Sequence, residues 1–119
     1  MPFTANAKEG MLGQVRGRIS HLSLHNGAPG GTGANEIAGG GYARVAVTAT
    51  DFTAPSGSSF NLAANQEFAG TASQSVTHAG IWDGTDFLGE GALSGDLAFN
   101  AEGVYVLTTA TSFSINDPV

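Results

Sequence analysis

The segment that most constrains the fold is a glycine-rich stretch between two short segments of alternating apolar residues. Leu22 and Leu24 alternate with polar residues before it, and Val45 and Val47 alternate after it, so each flank predicts a β-strand. The connection between them contains Pro29 and many glycines, and it is too long for a tight hairpin. It also lacks a phosphate-loop lysine and metal-ligand spacing. The chain is therefore expected to form β structure with a long connecting loop.

Four residues in this stretch carry chemistry that a plain sheet does not need, namely Asn35, Glu36, Tyr42 and Arg44. A guanidinium binds a carboxylate through two parallel hydrogen bonds, a geometry that lysine does not reproduce. One interpretation is a half-buried ion pair between Glu36 and Arg44 that ties the loop to the following strand. The other is an exposed arginine on a sheet face. We expect these four residues to pin the loop and to serve in assembly.

The rest of the chain predicts one N-terminal helix followed by β structure. Residues 5–18 are the helical candidate, with Asn6 as the N-cap and with Leu12, Val15 and Ile19 at helical spacing. Three glycines in this segment disfavour a helix, so packing would have to stabilise it. The predicted strands cover 19–25, 42–50, 59–63, 66–70, 75–83, 86–93, 97–99 and 104–115.

Many short strands with regular turn signals predict a mainly β fold. The expected architecture is an antiparallel β-sandwich of the jelly-roll or immunoglobulin-like type with a short N-terminal helix. The Asp83-Gly84 pair is the strongest hairpin signal in the chain. A length of 119 residues fits a single domain. We expect an N-terminal arm or helix over 1–18 and the sandwich over 19–119.

Charge is distributed unevenly along the chain. Net charge is −6, and eight of the ten acidic residues follow Arg44, since only Glu9 and Glu36 precede it. A phosphate backbone attracts the opposite sign, so direct binding to nucleic acid is not expected. The N-terminal cations form a candidate docking arm that would orient the acidic body on a partner surface; they are Lys8, Arg16 and Arg18.

Composition excludes several other classes of protein. Cysteine is absent, so no disulfide framework is expected. The sequence shows no secretory leader and no apolar run of the roughly 20 residues that a membrane span needs, so we expect no membrane partner and synthesis in a cytoplasm. Charged residues make up only 12% of the chain. Low charge is typical of surfaces that neighbouring subunits cover, which favours assembly.

The candidate chemical groups have ordinary structural explanations. His21 and His25 are four residues apart on a predicted strand, hence about 13 Å apart, which is too far to share a metal ion. We interpret them as residues of a polar face. Asp83, Asp86 and Glu90 surround the predicted hairpin, where turn formation explains them better than acid–base catalysis or a calcium loop. No nucleophile elbow is present. We expect no catalytic residues, no cofactor and no metal.

Two blocks of sequence resemble small virion proteins of tailed bacteriophages, of the kind labelled tail-fibre-like. The first block runs from Leu24 to Arg44 and includes Pro29-Gly30, Thr32-Gly33-Ala34-Asn35-Glu36 and Gly39-Gly40-Gly41-Tyr42-Ala43-Arg44. The second comprises Val76-Thr77-His78-Ala79-Gly80-Ile81-Trp82-Asp83 and the later Gly91-Ala92-Leu93. The resemblance spans nearly the whole chain. A departure is His25-Asn26-Gly27, where the family more often has His-Thr-Ala.

This resemblance implies a structural role in the phage virion, assembled in the host cytoplasm, with no catalytic residues to transfer. We favour a capsid decoration (cement) protein bound to the major capsid protein, because an acidic, cysteine-free sandwich with a basic N-terminal segment suits docking on a shell. The alternative is a small tail-fibre, tail-tip or head–tail connector component that contacts other virion proteins or the host. Phage architecture implies a homo-oligomer, with a trimer as the expected form. A carbohydrate-binding module would rest on Trp82 alone.

Overall fold

The computed structural model describes residues 4–57, 59–93 and 97–114. In these ranges the chain forms one helix, α1 (Ala5–Arg18), and a series of short strands. The strands are β1 (His21–His25), β2 (Val45–Ala46), β3 (Ser59–Asn61), β4 (Gln66–Ala69), β5 (His78–Asp83), β6 (Asp86–Ala92), β7 (Val104–Leu107) and β8 (Ser112–Ser114). The predicted class, mainly β with an N-terminal helix, is confirmed.

The described strands pair in antiparallel fashion in three sheets. The largest has the order β2-β1-β5-β6, and the other two are the pairs β3-β8 and β4-β7. All three contribute to one apolar core in a sandwich-like arrangement. The buried core residues are Leu12, Ile19, Leu22, Leu24, Ile37, Val47, Phe52, Phe60, Leu62, Phe68, Val76, Ala79, Ile81, Phe99, Tyr105, Leu107 and Phe113.

The helix forms where it was predicted but begins with a different cap. Thr4, not Asn6, is the N-cap, and its hydroxyl accepts a hydrogen bond from the amide of Ala7 at 3.2 Å. The helical glycines face open space, so α1 depends on the packing of Leu12 into the core. The division into an arm over 1–18 and a sandwich over 19–119 stays a prediction. No helix in the described part of the chain is long and apolar enough to span a membrane.

The predicted strand over 42–50 is much shorter in the structure. Only Val45–Ala46 forms a strand, and a 3-10 turn over Ala49–Asp51 follows it. The carboxylate of Asp51 accepts a hydrogen bond from the amide of Thr48 at 2.8 Å. This local bond turns the chain away from the sheet, because short polar side chains compete with the ladder for backbone groups.

The predicted long strand over 104–115 is also wrong, because it is two strands in two different sheets. A turn separates β7 from β8, with the Thr111 amide donating to the Thr108 carbonyl at 3.0 Å. The side chain of Asn65 accepts from the Thr109 amide at 3.1 Å and holds this turn. Of the short strand predicted at 97–99, a single bridge between Ser75 and Ala98 forms. Ile115 lies outside the described residues.

The hairpin predicted at Asp83-Gly84 joins β5 to β6. Gly84 has φ +58, a conformation that suits glycine in a two-residue turn. The register shifts between Ile81 and Trp82. At the far end of β6, a Cβ on Gly91 would lie 2.5 Å from the carbonyl oxygen of Ser112, so β6 passes directly against β8. Glycine permits this close approach of two backbones because it has no side chain.

Candidate functional site

The connection between β1 and β2, residues 26–44, folds back onto the strand that it leaves; we call it the pinned loop. Its amides bond to backbone carbonyls at both ends: Asn26 to Asn35 at 3.0 Å, and Ile37 to Leu24 at 3.1 Å. Asn35 has φ +63, a left-handed conformation that asparagine tolerates, and its side chain donates to the carbonyl of Ala28 at 3.0 Å. Asn35 therefore sets the turn that returns the loop to β1.

Three of the predicted residues meet in one hydrogen-bonded group, which we call the outer network: Glu36, Tyr42 and Arg44. Nε of Arg44 lies 3.0 Å from Oε2 of Glu36, and Nη2 lies 2.9 Å from Oε1, so the pair is bidentate. The hydroxyl of Tyr42 donates to Glu36 at 2.8 Å and accepts from the amide of Leu24 at 2.9 Å. The loop end is thereby tied to β1 as well as to itself. Of the two interpretations of Arg44, the structure therefore shows the half-buried ion pair with Glu36 and not an exposed arginine on a sheet face.

The environment of the outer network shifts the pKa values of all three of its members. Burial acts to raise the pKa of Glu36, but hydrogen bonds from Arg44 and Tyr42 outweigh it and hold that pKa below its usual range. Burial also raises the pKa of Tyr42, and its bond to the Glu36 carboxylate adds to that effect. The side chains of Arg44 and Glu36 are 32% and 21% exposed. The carboxylate therefore stays ionised in a half-buried position.

The outer network rests on the single tryptophan of the chain. The guanidinium of Arg44 lies 3.6 Å from the centroid of the Trp82 ring, a cation–π geometry. Phe87 packs edge-on to the same ring at 5.0 Å. Gly33 covers it closely, since a Cβ at this position would lie 2.6 Å from the ring. Trp82 is thus buried under the loop and offers no exposed face to a sugar, which removes the basis of the carbohydrate-binding alternative.

Beneath Trp82 lies a second polar group, the inner network, which comprises Ser23, His25, the Trp82 indole and the Ala34 carbonyl. The Trp82 indole donates to the Ser23 hydroxyl at 2.8 Å, and that oxygen lies 2.7 Å from Nε2 of His25. Nδ1 of His25 lies 2.7 Å from the Ala34 carbonyl. A carbonyl can only accept, so Nδ1 carries the proton and Nε2 accepts from Ser23. The network joins β5, β1 and the pinned loop.

The interpretation of His25 as a polar-face residue is wrong. Ser23 and His25 are both 0% exposed, because the loop covers the face of β1 opposite the core leucines. Burial lowers the pKa of His25, against the bond to Ala34 and the charge of Glu36, which act to raise it. In the described ranges no group of three or more metal-ligating side chains occurs.

The candidate docking arm is partly engaged within the chain. Arg16 donates from Nε and Nη2 to the carbonyl of Phe52 at 3.1 and 2.9 Å. Arg18 pairs with Asp83 at 3.0 Å, and the two side chains are 55% and 41% exposed. Lys8 is half-buried on α1. The structure therefore gives Arg16 and Arg18 intramolecular partners, and their role in docking stays a prediction.

Comparison with known proteins places the chain in a family. The family model described as podophage GP4 fiber I protein gp80 matches residues 18–117. The match spans every strand and the whole pinned loop, so the chain belongs to this family of phage fibre proteins. It is thus a structural protein of the bacteriophage virion, of the fibre type, as the resemblance implied. Lys8 and Arg16 lie before the matched residues. Searches of curated proteins and of solved structures gave no match.

Proposed function

We propose that this chain is a small fibre-type component of a podophage tail, and that the pinned loop is its assembly surface. The family match supports the fibre-type placement over capsid decoration. The observation that carries the loop's role is its outer surface, on which the exposed residues are small and uncharged. They are Asn26, Ala28, Gly30, Gly31, Thr32, Ala34, Asn35, Ala38, Gly39, Gly40, Gly41 and Ala43. Depletion of charge is typical of the centre of a protein interface.

The two networks support this role because they hold the loop in one conformation before it meets a partner. A loop that is ordered in advance loses less conformational entropy on binding. Small side chains also permit close approach of a neighbouring backbone. The partner in this proposal is another virion protein or a further copy of the chain in a homo-oligomer, such as a trimer, assembled in the host cytoplasm.

Capsid decoration is the competing placement, with the N-terminal cations docked on the major capsid protein. The bonds of Arg16 to the Phe52 carbonyl weigh against this mode of docking, because that guanidinium is already engaged. Counting the copies of the chain in purified virions by quantitative mass spectrometry separates the two. We expect a low number set by the rotational symmetry of the tail. One copy or more for each capsid subunit would instead establish decoration.

The loop's role is tested by placing a charge on its outer surface. Thr32→Arg is expected to leave the melting temperature unchanged and to abolish incorporation into particles, because an uncompensated charge at an interface centre is costly. Thr109→Arg, a matched change at an exposed threonine in the turn between β7 and β8, is the control and is expected to incorporate normally. Normal incorporation of the Thr32 variant would refute the assembly role of the loop and leave the tail placement standing.

A further inference from the structure

The inner network has a proton arrangement that only a neutral His25 satisfies. Nδ1–H donates to Ala34, Nε2 accepts from Ser23, and the Ser23 oxygen accepts from Trp82. A second proton on the ring would turn Nε2 into a donor facing the Ser23 hydroxyl. That hydroxyl has no other acceptor among the hydrogen bonds of the described residues, so its own proton would be left buried without a partner.

The surroundings of the ring do little to accommodate a positive charge. The pinned loop contributes Glu36 and Arg44, β5 contributes His78 in the paired position, and β6 contributes the ring of Phe87 at 6.1 Å. Glu36 is the sole anion of this set, and its two oxygens are already bonded to Arg44 and Tyr42. A protonated imidazole here would lack both water and a free counterion, and burying such a charge is unfavourable.

We propose that His25 is an acid-sensitive latch of the pinned loop: the neutral ring holds the Ala34 carbonyl, and protonation releases the loop from β1 while the rest of the fold stays intact. A protonated ring reaches water only by leaving Ala34. The glycines at 39, 40 and 41, all with positive φ, give the return of the loop a permissive backbone. The pairs β3-β8 and β4-β7 contain no member of the inner network. The latch concerns the loop's conformation and holds wherever in the particle the chain sits.

Trp82 is the natural reporter of this latch, because it is the single tryptophan and its indole donates to Ser23. We expect its fluorescence to change in one step as the full chain is titrated from about pH 7.5 to about pH 4.5. Over the same range, the amides of Asn26 and Ile37 should lose about tenfold or more of their protection against hydrogen exchange, corrected for intrinsic rates. The amides of β4 and β7 should keep theirs.

Matched histidine variants test whether protonation of His25 causes the step in Trp82 fluorescence. His25→Gln should abolish it, and His21→Gln, on the same strand but half-buried, should retain it. A step that survives in the His25 variant, or disappears in the His21 variant, would overturn the proposal. If the His25 variant does not fold, NMR titration of the histidine rings of the unmodified chain decides. The Trp82 step must share its midpoint with the His25 ring. A ring that titrates without a change in Trp82, or that never titrates in the folded chain, would also overturn the proposal.

Discussion

Aromatic rings lie at the centre of both the β3-β8 pair and the pinned loop, but their neighbours differ. Phe52, Phe60 and Phe113 contact one another with ring centroids 5.5 to 6.2 Å apart and are surrounded by apolar atoms. Trp82 instead has a guanidinium on one face and donates from its indole to the Ser23 hydroxyl. The phenylalanine cluster stabilises the fold by removing apolar surface from water. The contacts of Trp82 include a hydrogen bond and a cation–π contact, which are favourable only in a defined orientation.

The difference follows from what each segment has to order. The strands of the phenylalanine cluster are fixed by their ladders, so non-directional packing is sufficient. The pinned loop is rich in glycine, and its only buried apolar side chains are Pro29 and Ile37. Glycine has many backbone conformations of similar energy. Hydrogen bonds and an ion pair of defined geometry select one of them, which apolar packing alone would not do.

The largest effect is expected in the phenylalanine cluster. Phe60→Ala should lower the free energy of unfolding by about 3–5 kcal/mol, because it removes buried ring contacts and leaves a cavity. Urea denaturation measures this loss. Phe60→Leu, which refills most of the volume, should cost clearly less. In both variants the folded state should keep the Trp82 emission of the parent chain, and a changed emission would mean that the two regions are not independent.

The next largest effect is expected from overcrowding the inner network beneath the pinned loop. A Cβ on Gly80 would lie 2.5 Å from the Ser23 hydroxyl oxygen and 2.8 Å from Nε2 of His25. Gly80→Ala should therefore disrupt the inner network and lower stability by about 1–3 kcal/mol. Gly89→Ala is the matched control on the partner strand, where the nearest atom, on Ile81, is 3.8 Å away. Equal stability losses in the two variants would show that the effect comes from strand glycines in general.

Loss of the outer network should cost somewhat less. Arg44→Ala leaves the half-buried Glu36 without its bidentate partner, and we expect a loss of about 1–2 kcal/mol, since partial exposure of the pair reduces its value. Arg44→Lys should recover only part of this, because an ammonium makes neither the bidentate contact nor the planar stack on Trp82. Thermal unfolding followed by Trp82 fluorescence measures both. An unchanged melting temperature in the alanine variant would remove the pinning role.

The outer network was largely predictable, since its residues are unusual for their surroundings. Arg44 is the last cation of an acidic chain, and Glu36 and Tyr42 precede it within the same loop. The geometry needed by a guanidinium limits the partners within reach. The helix over 5–18 and the hairpin at Asp83-Gly84 were also predictable, because apolar spacing and turn chemistry are local signals.

The inner network was not predictable in the same way. Alternation around Leu22 and Leu24 identifies a strand, but it does not reveal that a loop covers the other face, so Ser23 and His25 read as solvated. The sequence does show a glycine, Gly80, inside a predicted strand, but only the structure shows that it pairs with Ser23. The turn that divides 104–115 into two strands is held in part by Asn65, which lies far away in sequence. Such contacts are set by the tertiary fold, and the local periodicity of the sequence does not predict them.

The smallest expected effect is a pH dependence of stability, which arises from the pinned loop and not from the phenylalanine cluster. The folded chain lowers the pKa of His25 from 6.5 and that of Glu36 from 4.5. In each case the unfolded chain binds the proton first, so stability falls as pH drops below about 6.5 and falls again below about 4.5, by at most about 1.4 kcal/mol per pH unit for each proton. Each loss ends once the folded-state pKa is passed.

Urea denaturation over a pH series tests this with three variants. His25→Gln should remove the loss of stability that begins below about pH 6.5, and Glu36→Gln should remove the loss that begins below about pH 4.5. Each variant replaces one titrating group with a neutral one of similar size. Phe60→Ala should displace the whole curve downward without changing its shape, because the phenylalanine cluster binds no protons. A His25 variant with the parent's slope near pH 6 would show that the inner network does not govern acid stability. The polar loop and the apolar cluster would then respond to acid alike, and the physical distinction between them would be wrong.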